Sequence, residues 1–474
     1  MIRPTLLLLG LAAAALAAPA AGSAQQTPPA GGEPREFSLP AARTFSLDNG
    51  MDVTLAPYGT LPKVTVQLAL RTGNVNEGPD QIWLADLMGD VMMEGTTTRS
   101  GEDIAREAAE MGGQVNVSVG PDESSVAGTV LSEFAPRLVE LVADVARNPS
   151  FPASEVDRLK ADLVRNVSIA LSQPQQMTMS KFREVMYPDH PYGRIFPTPE
   201  MIQSYTVDGV RAFYDANVGA DRAHLYVSGM FDAAAVEAAI RAAFADWASG
   251  PAPVTNPPSP VSERKVWLID RPGAVQTTIH LGLPVADPSS EDYVALQVTN
   301  SLLGGSFNSR ITSNIRENKG YTYSPFSQVS TRHRDAYWVQ TADVTTDVTG
   351  ASLHEIFHEI DRLQAEPPAA AELEGIQNYM AGTFVLQNST PGGIIGQLRF
   401  LNLHGLGRDY LEGFVSSVYG VTPEEVQRIA NEWLDDERMI IVATGDRATI
   451  EEQVRPYGEV VVEGEHPSPG LRRE

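Results

Sequence analysis

The chain has 474 residues, 42% of them apolar, no cysteine and a formal charge of −25 at neutral pH. Without cysteine there is no disulfide, thiolate metal site, cysteine nucleophile or lipid-anchored N-terminal cysteine. The acidic balance excludes a nucleic-acid backbone as partner and permits basic or neutral ones, while the length allows two large domains or about three smaller ones.

Residues 1–24 read as a secretory signal. Arg3 supplies the positive start, Leu6 to Ala18 is apolar, and Ala21-Gly22-Ser23-Ala24 is a small-residue cleavage site. The run is too short and too interrupted by Pro19 to span a bilayer. The expectation is a periplasmic or secreted protein with no membrane span in the mature chain. Residues 25–37, rich in Gln, Pro, Gly and Glu, read as a disordered arm.

Arg43 to Pro57 reads as a hairpin around Asp48-Asn49-Gly50, and Lys63 to Arg71 as a strand of period two. Ile82 to Arg99 reads as an amphipathic helix closed by Gly95, with apolar residues at 84, 87, 88, 91 and 92 facing a core. Asp86, Asp90 and Glu94 form a column of like charges on that helix. Such spacing costs roughly a few tenths of a kcal/mol per pair, so packing alone does not account for it. A helix over Gly101–Met111, paired strands over Gln114–Gly120 and Glu123–Leu131, and helices over Phe134–Arg147 and Ser154–Leu171 follow, the last ended by Pro174. Residues 177–217 read as helical, Ala223–Ser228 as a strand and Ala233–Ala248 as a helix.

Residues 250–264 are Pro-rich and read as an interdomain linker. Beyond it the order of elements repeats. Thr277–Leu283 mirrors the strand at 63–71, the helix at 290–303 mirrors that at 82–99, and Phe307–Glu317 mirrors 101–111. Leu353–Leu363 and Ala369–Leu386 mirror 134–147 and 154–171, and Met439–Thr444 mirrors the late strand of the first half. The expected fold is α+β: two homologous α/β domains, 38–249 and 265–474, each a mostly antiparallel sheet packed by helices.

Trp83-Leu84-Ala85, Met93-Glu94-Gly95-Thr96 and Gly112-Gly113-Gln114-Val115-Asn116 stand in one ordered set across these halves. In this set the chain resembles the pitrilysin/insulinase zinc peptidases, family M16, over nearly its whole mature length. That resemblance implies a helix carrying His-x-x-Glu-His, whose two imidazoles hold zinc while the Glu activates water, and an acidic ligand on a later helix. Here the three places are Asp86, Gly89 and Asp90, and the later ligand falls at Asn166. The first half is therefore expected to lack zinc. Two carboxylates are too few oxygens for a calcium or magnesium site, and the plain expectation for Asp86 and Asp90 is a pair of solvated or chamber-facing carboxylates.

In the second half, Gly304-Gly305-Ser306 followed by Ser309-Arg310-Ile311 resembles the family's Gly-rich turn, and Arg316-Glu-Asn-Lys-Gly320-Tyr-Thr-Tyr323 resembles its Arg-x-x-x-Gly-x-x-Tyr segment. The resemblance implies that Arg316 and Tyr323 reach the peptide near the scissile bond. A guanidinium and a phenol are suitable donors to peptide carbonyls and to a developing oxyanion.

His354-Glu355-Ile356-Phe357-His358 spells a zincin motif. Its helix already has a core face, Leu353, Ile356, Phe357, Ile360 and Leu363, and a third ligand would have to come from Glu372 or Glu374. His354 and His358 are therefore read as a decoy. The expectation is a non-catalytic, substrate-binding subunit that contains no metal. It works on peptides or unfolded segments with a zinc-bearing M16-like partner, in a heterodimer or larger assembly. The alternatives are an M16-like scaffold without proteolytic role and an autonomous zincin using His354 and His358.

Overall fold

The computed structural model describes residues 38–463. The proposed signal and arm, residues 1–37, lie outside the described residues.

The strands are β1 (Arg43–Ser46), β2 (Asp52–Pro57), β3 (Lys63–Leu70), β4 (Gln114–Val119), β5 (Ser124–Leu131) and β6 (Ala223–Gly229) in the first half. The second half holds β7 (Lys265–Asp270), β8 (Gln276–Val285), β9 (Phe326–Arg332), β10 (Asp335–Thr345), β11 (Ile440–Gly445) and β12 (Glu459–Val462). They build two six-stranded sheets, ordered β1-β2-β6-β3-β5-β4 and β12-β7-β11-β8-β10-β9. Five strands correspond in order, and the sixth does not: the first sheet is edged by β1 from upstream, antiparallel to β2, the second by β12 from downstream, parallel to β7. Most other neighbours are antiparallel; β2 with β6 and β7 with β11 are parallel.

The helices of the first half are α1 (Leu84–Met93), α2 (Gly101–Glu110), α3 (Ala135–Arg147), α4 (Ala153–Ser172), α5 (Pro174–Met186), α6 (Pro199–Ser204), α7 (Val207–Asn217) and α8 (Ala233–Phe244). Those of the second are α9 (Tyr293–Asn300), α10 (Thr349–Ala365), α11 (Ala370–Gln387), α12 (Pro391–His404), α13 (Arg408–Glu412), α14 (Phe414–Gly420), α15 (Pro423–Trp433) and α16 (Arg447–Val454).

Strand alternation divides each sheet between two cores. Val64, Val66, Leu68 and Leu70 of β3 face the main core of the first half, with Leu87, Val91 and Leu138 among its helical members. Ala69, on the opposite face, packs with Tyr226 and with Ile395 of α12. On β8, Ile279, Leu281 and Leu283 face the main core of the second half, while the opposite face of that sheet is covered by α5. Phe182, Met186 and Tyr187 there share a core with Tyr337, Val339, Ile440 and Val442, and the Thr178 and Thr444 hydroxyls meet at 2.7 Å. Each half therefore lends one helix to the other half's sheet. Residues 250–264 carry no regular secondary structure, but Arg222 donates to the Pro251 and Ala252 carbonyls.

Three local expectations are corrected. The opening helix is shorter than Ile82–Arg99. It begins after Trp83, whose φ is +64°, and the chain turns out at Gly95, φ +152°. Residues 96–99 then form a loop tied to Asp144 by the Thr96 and Thr98 hydroxyls and the Arg99 guanidinium. Pro174 ends α4 but also opens α5, where its missing N–H is no loss. Phe307–Glu317 is not a copy of α2. Phe307 lies in an exposed turn, and Thr312–Asn318 winds with wide π-type turns. Buried Asn314 there donates from Nδ2 to Glu359 (2.7 Å) and Glu355 (3.0 Å) on α10.

Candidate functional site

Asp86, Gly89 and Asp90 on α1 and Asn166 on α4 line one pocket of about 310 Å³, closed by Trp83, Leu163 and, from β4, Val117 and Val119. The positions read from the sequence are thus brought together. Gly89 permits the close approach of α1 to β4: a Cβ there would stand 3.0 Å from Val119 and 3.1 Å from Val117.

Asp86 faces this pocket with its carboxylate held in place. It is half-buried and accepts from Asn74 Nδ2 at 2.7 Å, and burial raises its pKa. Asp90, exposed at the mouth, is raised to about 6 by partial burial first and then by the Asp86, Glu94 and Asp162 carboxylates, against the Arg158 guanidinium. Glu94 is relieved by Arg158 on α4, at 2.5 Å. The column of like charges is therefore tied to neighbouring elements at both ends, Asp86 by the Asn74 amide and Glu94 by the Arg158 guanidinium.

The sequence reading missed Glu77, in the loop before α1. It is 6% exposed, and its Oε1 accepts from the Ala85 N–H (2.9 Å) and from Asn74 Nδ2 (3.2 Å). Asn74 thus bridges Glu77 and Asp86. Burial first, and the Asp86 charge, push Glu77 up to about 8 against those hydrogen bonds, so Glu77 is protonated at neutral pH. Nothing in the Gly73-Asn-Val-Asn-Glu run marks it as buried.

This carries a pH prediction. The unfolded Glu77 titrates near 4.5, so from there to about pH 8 the folded chain holds a proton that the unfolded chain has released. The stability this confers is fully present below pH 4.5 and is lost as pH rises through 8. His190, His224, His280, His333 and His404, held neutral by burial, act in the opposite sense below and around their unfolded value of 6.5, so the Glu77 contribution is isolated by comparison with Glu77→Gln, which keeps all five. Urea unfolding should therefore show the stability of the parent relative to Glu77→Gln falling between about pH 5 and pH 8, by up to about 1.4 kcal/mol per pH unit.

In the second half the structure brings Arg316 and Tyr323 together. Gly320, φ +66°, reverses the chain after the π-type turns; no neighbouring atom would meet a Cβ there, so backbone conformation alone favours glycine. Thr322 then pairs with Val344 of β10, and Tyr323 projects outward, 80% exposed. The Arg316 guanidinium lies 5.3 Å from the Tyr323 ring centroid and 4.4 Å from that of Phe307, itself 66% exposed. Two rings thus hold one cation by its faces, and its only ion pair among the described residues is a 3.4 Å contact to Glu317. Most guanidinium N–H groups remain free for a ligand. Phe307 was missed as a site residue; its signal is a large apolar side chain directly after Gly304-Gly305-Ser306.

His354 and His358 are exposed, their ring centroids 6.3 Å apart. Glu355 between them is held by Lys319 (2.8 Å) and Asn314, and Glu372 by Arg310 (2.8 and 2.9 Å). Among the described residues no group of three or more His, Cys, Asp or Glu side chains is placed to share one ion.

The family model described as Insulinase (Peptidase family M16) matches residues 54–200, and that of the Peptidase M16 inactive domain matches residues 204–380. The chain belongs to peptidase family M16. An uncharacterized zinc protease of Mycobacterium tuberculosis is 24% identical over 438 residues, 88% of this chain and 96% of that protein. An uncharacterized zinc protease of Bacillus subtilis is 24% identical over 346 residues, 73% of this chain and 84% of its own. A peptidase M16 inactive domain from Pseudomonas fluorescens superposes with TM-score 0.78 at 23% identity, covering 85% of this chain and 98% of that one. A protease from Helicobacter pylori superposes with TM-score 0.80 at 18% identity, covering 86% and 100%. These two likenesses establish the M16 fold. Within that fold, the pocket between α1 and α4 offers two carboxylates of raised pKa, an amide and a glycine.

Proposed function

We propose that this chain is a non-catalytic, substrate-binding subunit of a secreted or periplasmic M16-type metallopeptidase. It acts on peptides or unfolded segments with a zinc-bearing partner of the same family. The observation that carries this reading is the Arg316 guanidinium clamped between Phe307 and Tyr323 with its donors free. The residues between α1 and α4 do not fit zinc. Burial raises the Asp86 pKa, its carboxylate is already bonded to Asn74, and Gly89 has no side chain to act as a base.

On this reading Arg316 donates to peptide carbonyl oxygens, Tyr323 adds a phenolic O–H, and both stabilise negative charge as it develops on the carbonyl. Phe307 and Tyr323 fix the guanidinium plane before the peptide arrives, which lowers the ordering cost of binding. The test is metal analysis of the purified chain after exposure to zinc and removal of the excess. Less than one-tenth of an equivalent is expected. A stoichiometric zinc that disappears in His358→Ala would establish an autonomous zincin instead.

A further inference from the structure

The edge of α5 and the sheet face beneath it leave a cavity of about 230 Å³, lined among others by Gln175, Met179, Thr278, His280, Ser324 and Asp343. Ser324 places it directly beside Tyr323. Register explains the lining. Thr341 opposes His280 and Asp343 opposes Thr278 across β10 and β8, so these four side chains share the face that α5 covers.

His280 is 3% exposed and its Nδ1 has no hydrogen-bond partner. A buried ring nitrogen at a polar cavity is costly unless something binds it. Burial holds the imidazole neutral, its pKa pushed down to about 4. Asp343 accepts from the Thr278 hydroxyl at 2.5 Å and from Gln175 Nε2 at 2.8 Å, and it forms no ion pair among the described residues. Among the described residues no Lys or Arg lines the cavity. The lining thus supplies one carboxylate charge, an unsatisfied imidazole, hydroxyls and amides, in a room suited to one long side chain.

We propose that this cavity is a subsite for a basic side chain, the ammonium of a lysine or the guanidinium of an arginine, of a peptide held along the Arg316–Tyr323 segment. It rests on the reading of that segment as peptide-binding. Asp343 supplies the countercharge, His280 and the Gln175 carbonyl oxygen accept N–H groups, and Met179 covers the methylene stem. The −25 charge of the chain favours the same class of ligand over long range.

The test uses the full chain with labelled histidine, the His280 resonance assigned through His280→Gln. Argininamide, lysinamide and the uncharged citrullinamide serve as probes. Argininamide and lysinamide should shift the His280 signal saturably, at least ten-fold more tightly than citrullinamide. Asp343→Asn should remove that preference. Gln175→Lys, at an exposed helix position and so safe for the fold, should block the basic probes by pairing with Asp343. A His280 signal that ignores the basic probes, equal binding of citrullinamide, or a preference that survives both variants would overturn the subsite. The peptide-holding role is read separately, from whole-peptide binding by Arg316→Ala, so either proposal can fail alone.

Discussion

Replacing Arg316 with alanine is expected to lower kcat/KM of the assembled peptidase by about 10²–10³-fold, the usual cost of losing one oxyanion donor. Its folding free energy should stay within about 0.5 kcal/mol of the parent. The side chain lies on the surface between two exposed rings, and its ion pair with Glu317, at 3.4 Å, is of the solvent-screened kind that contributes little. Little holds the fold there, so loss of activity would report on the ligand rather than on stability. Arg316→Lys should restore only part of the activity, because an ammonium neither lies flat between Phe307 and Tyr323 nor offers paired N–H groups. Unchanged activity in Arg316→Ala is what a scaffold without proteolytic role would give.

The largest expected effect on stability is at Phe182. Alanine there should cost about 3–5 kcal/mol and should unfold both halves of the chain in one transition. Phe182 belongs by sequence to the first half, yet it is fully buried against the second sheet, edge-on to Tyr337 at 5.7 Å. Ile395 of α12 makes the reciprocal crossing to Ala69 and Tyr226. With the face of each sheet opposite its main core covered by the other half's helix, neither half can lose its structure without opening a core of the other. Calorimetry should show a single shifted peak. Two separated transitions would mean the exchanged helices do not couple the halves.

What the sequence revealed and what it concealed follow a common rule. Period-two runs such as Lys63–Leu70 and helical spacing in α1 report burial directly, so elements and their duplication could be read off. The exchange of α5 and α12 could not, because Phe182, Met186 and Ile395 look like any core residues and carry no mark of which sheet they cover. Asp86, Gly89, Asp90 and Asn166 were legible as a set only through the resemblance to the M16 motif, and they do line one pocket. Glu77 and Asn74 were not, since a loop residue becomes buried only through its contacts. Arg316 and Tyr323 could be read from their motif, but Phe307 was assigned to a helix that starts three residues later, at Arg310. His280 has no partner at ligand spacing in the sequence. Its interest arises only when β10 places Asp343 beside it and α5 covers both.

The central claim, that this chain holds peptide and relies on another for zinc, is tested most directly by mixing. The purified chain should leave an unstructured peptide intact with or without added zinc. Combined with an M16 subunit carrying an intact His-x-x-Glu-His, it should cleave the peptide in a chelator-sensitive manner and faster than that subunit alone. Robust, chelator-sensitive cleavage by this chain by itself would contradict the claim.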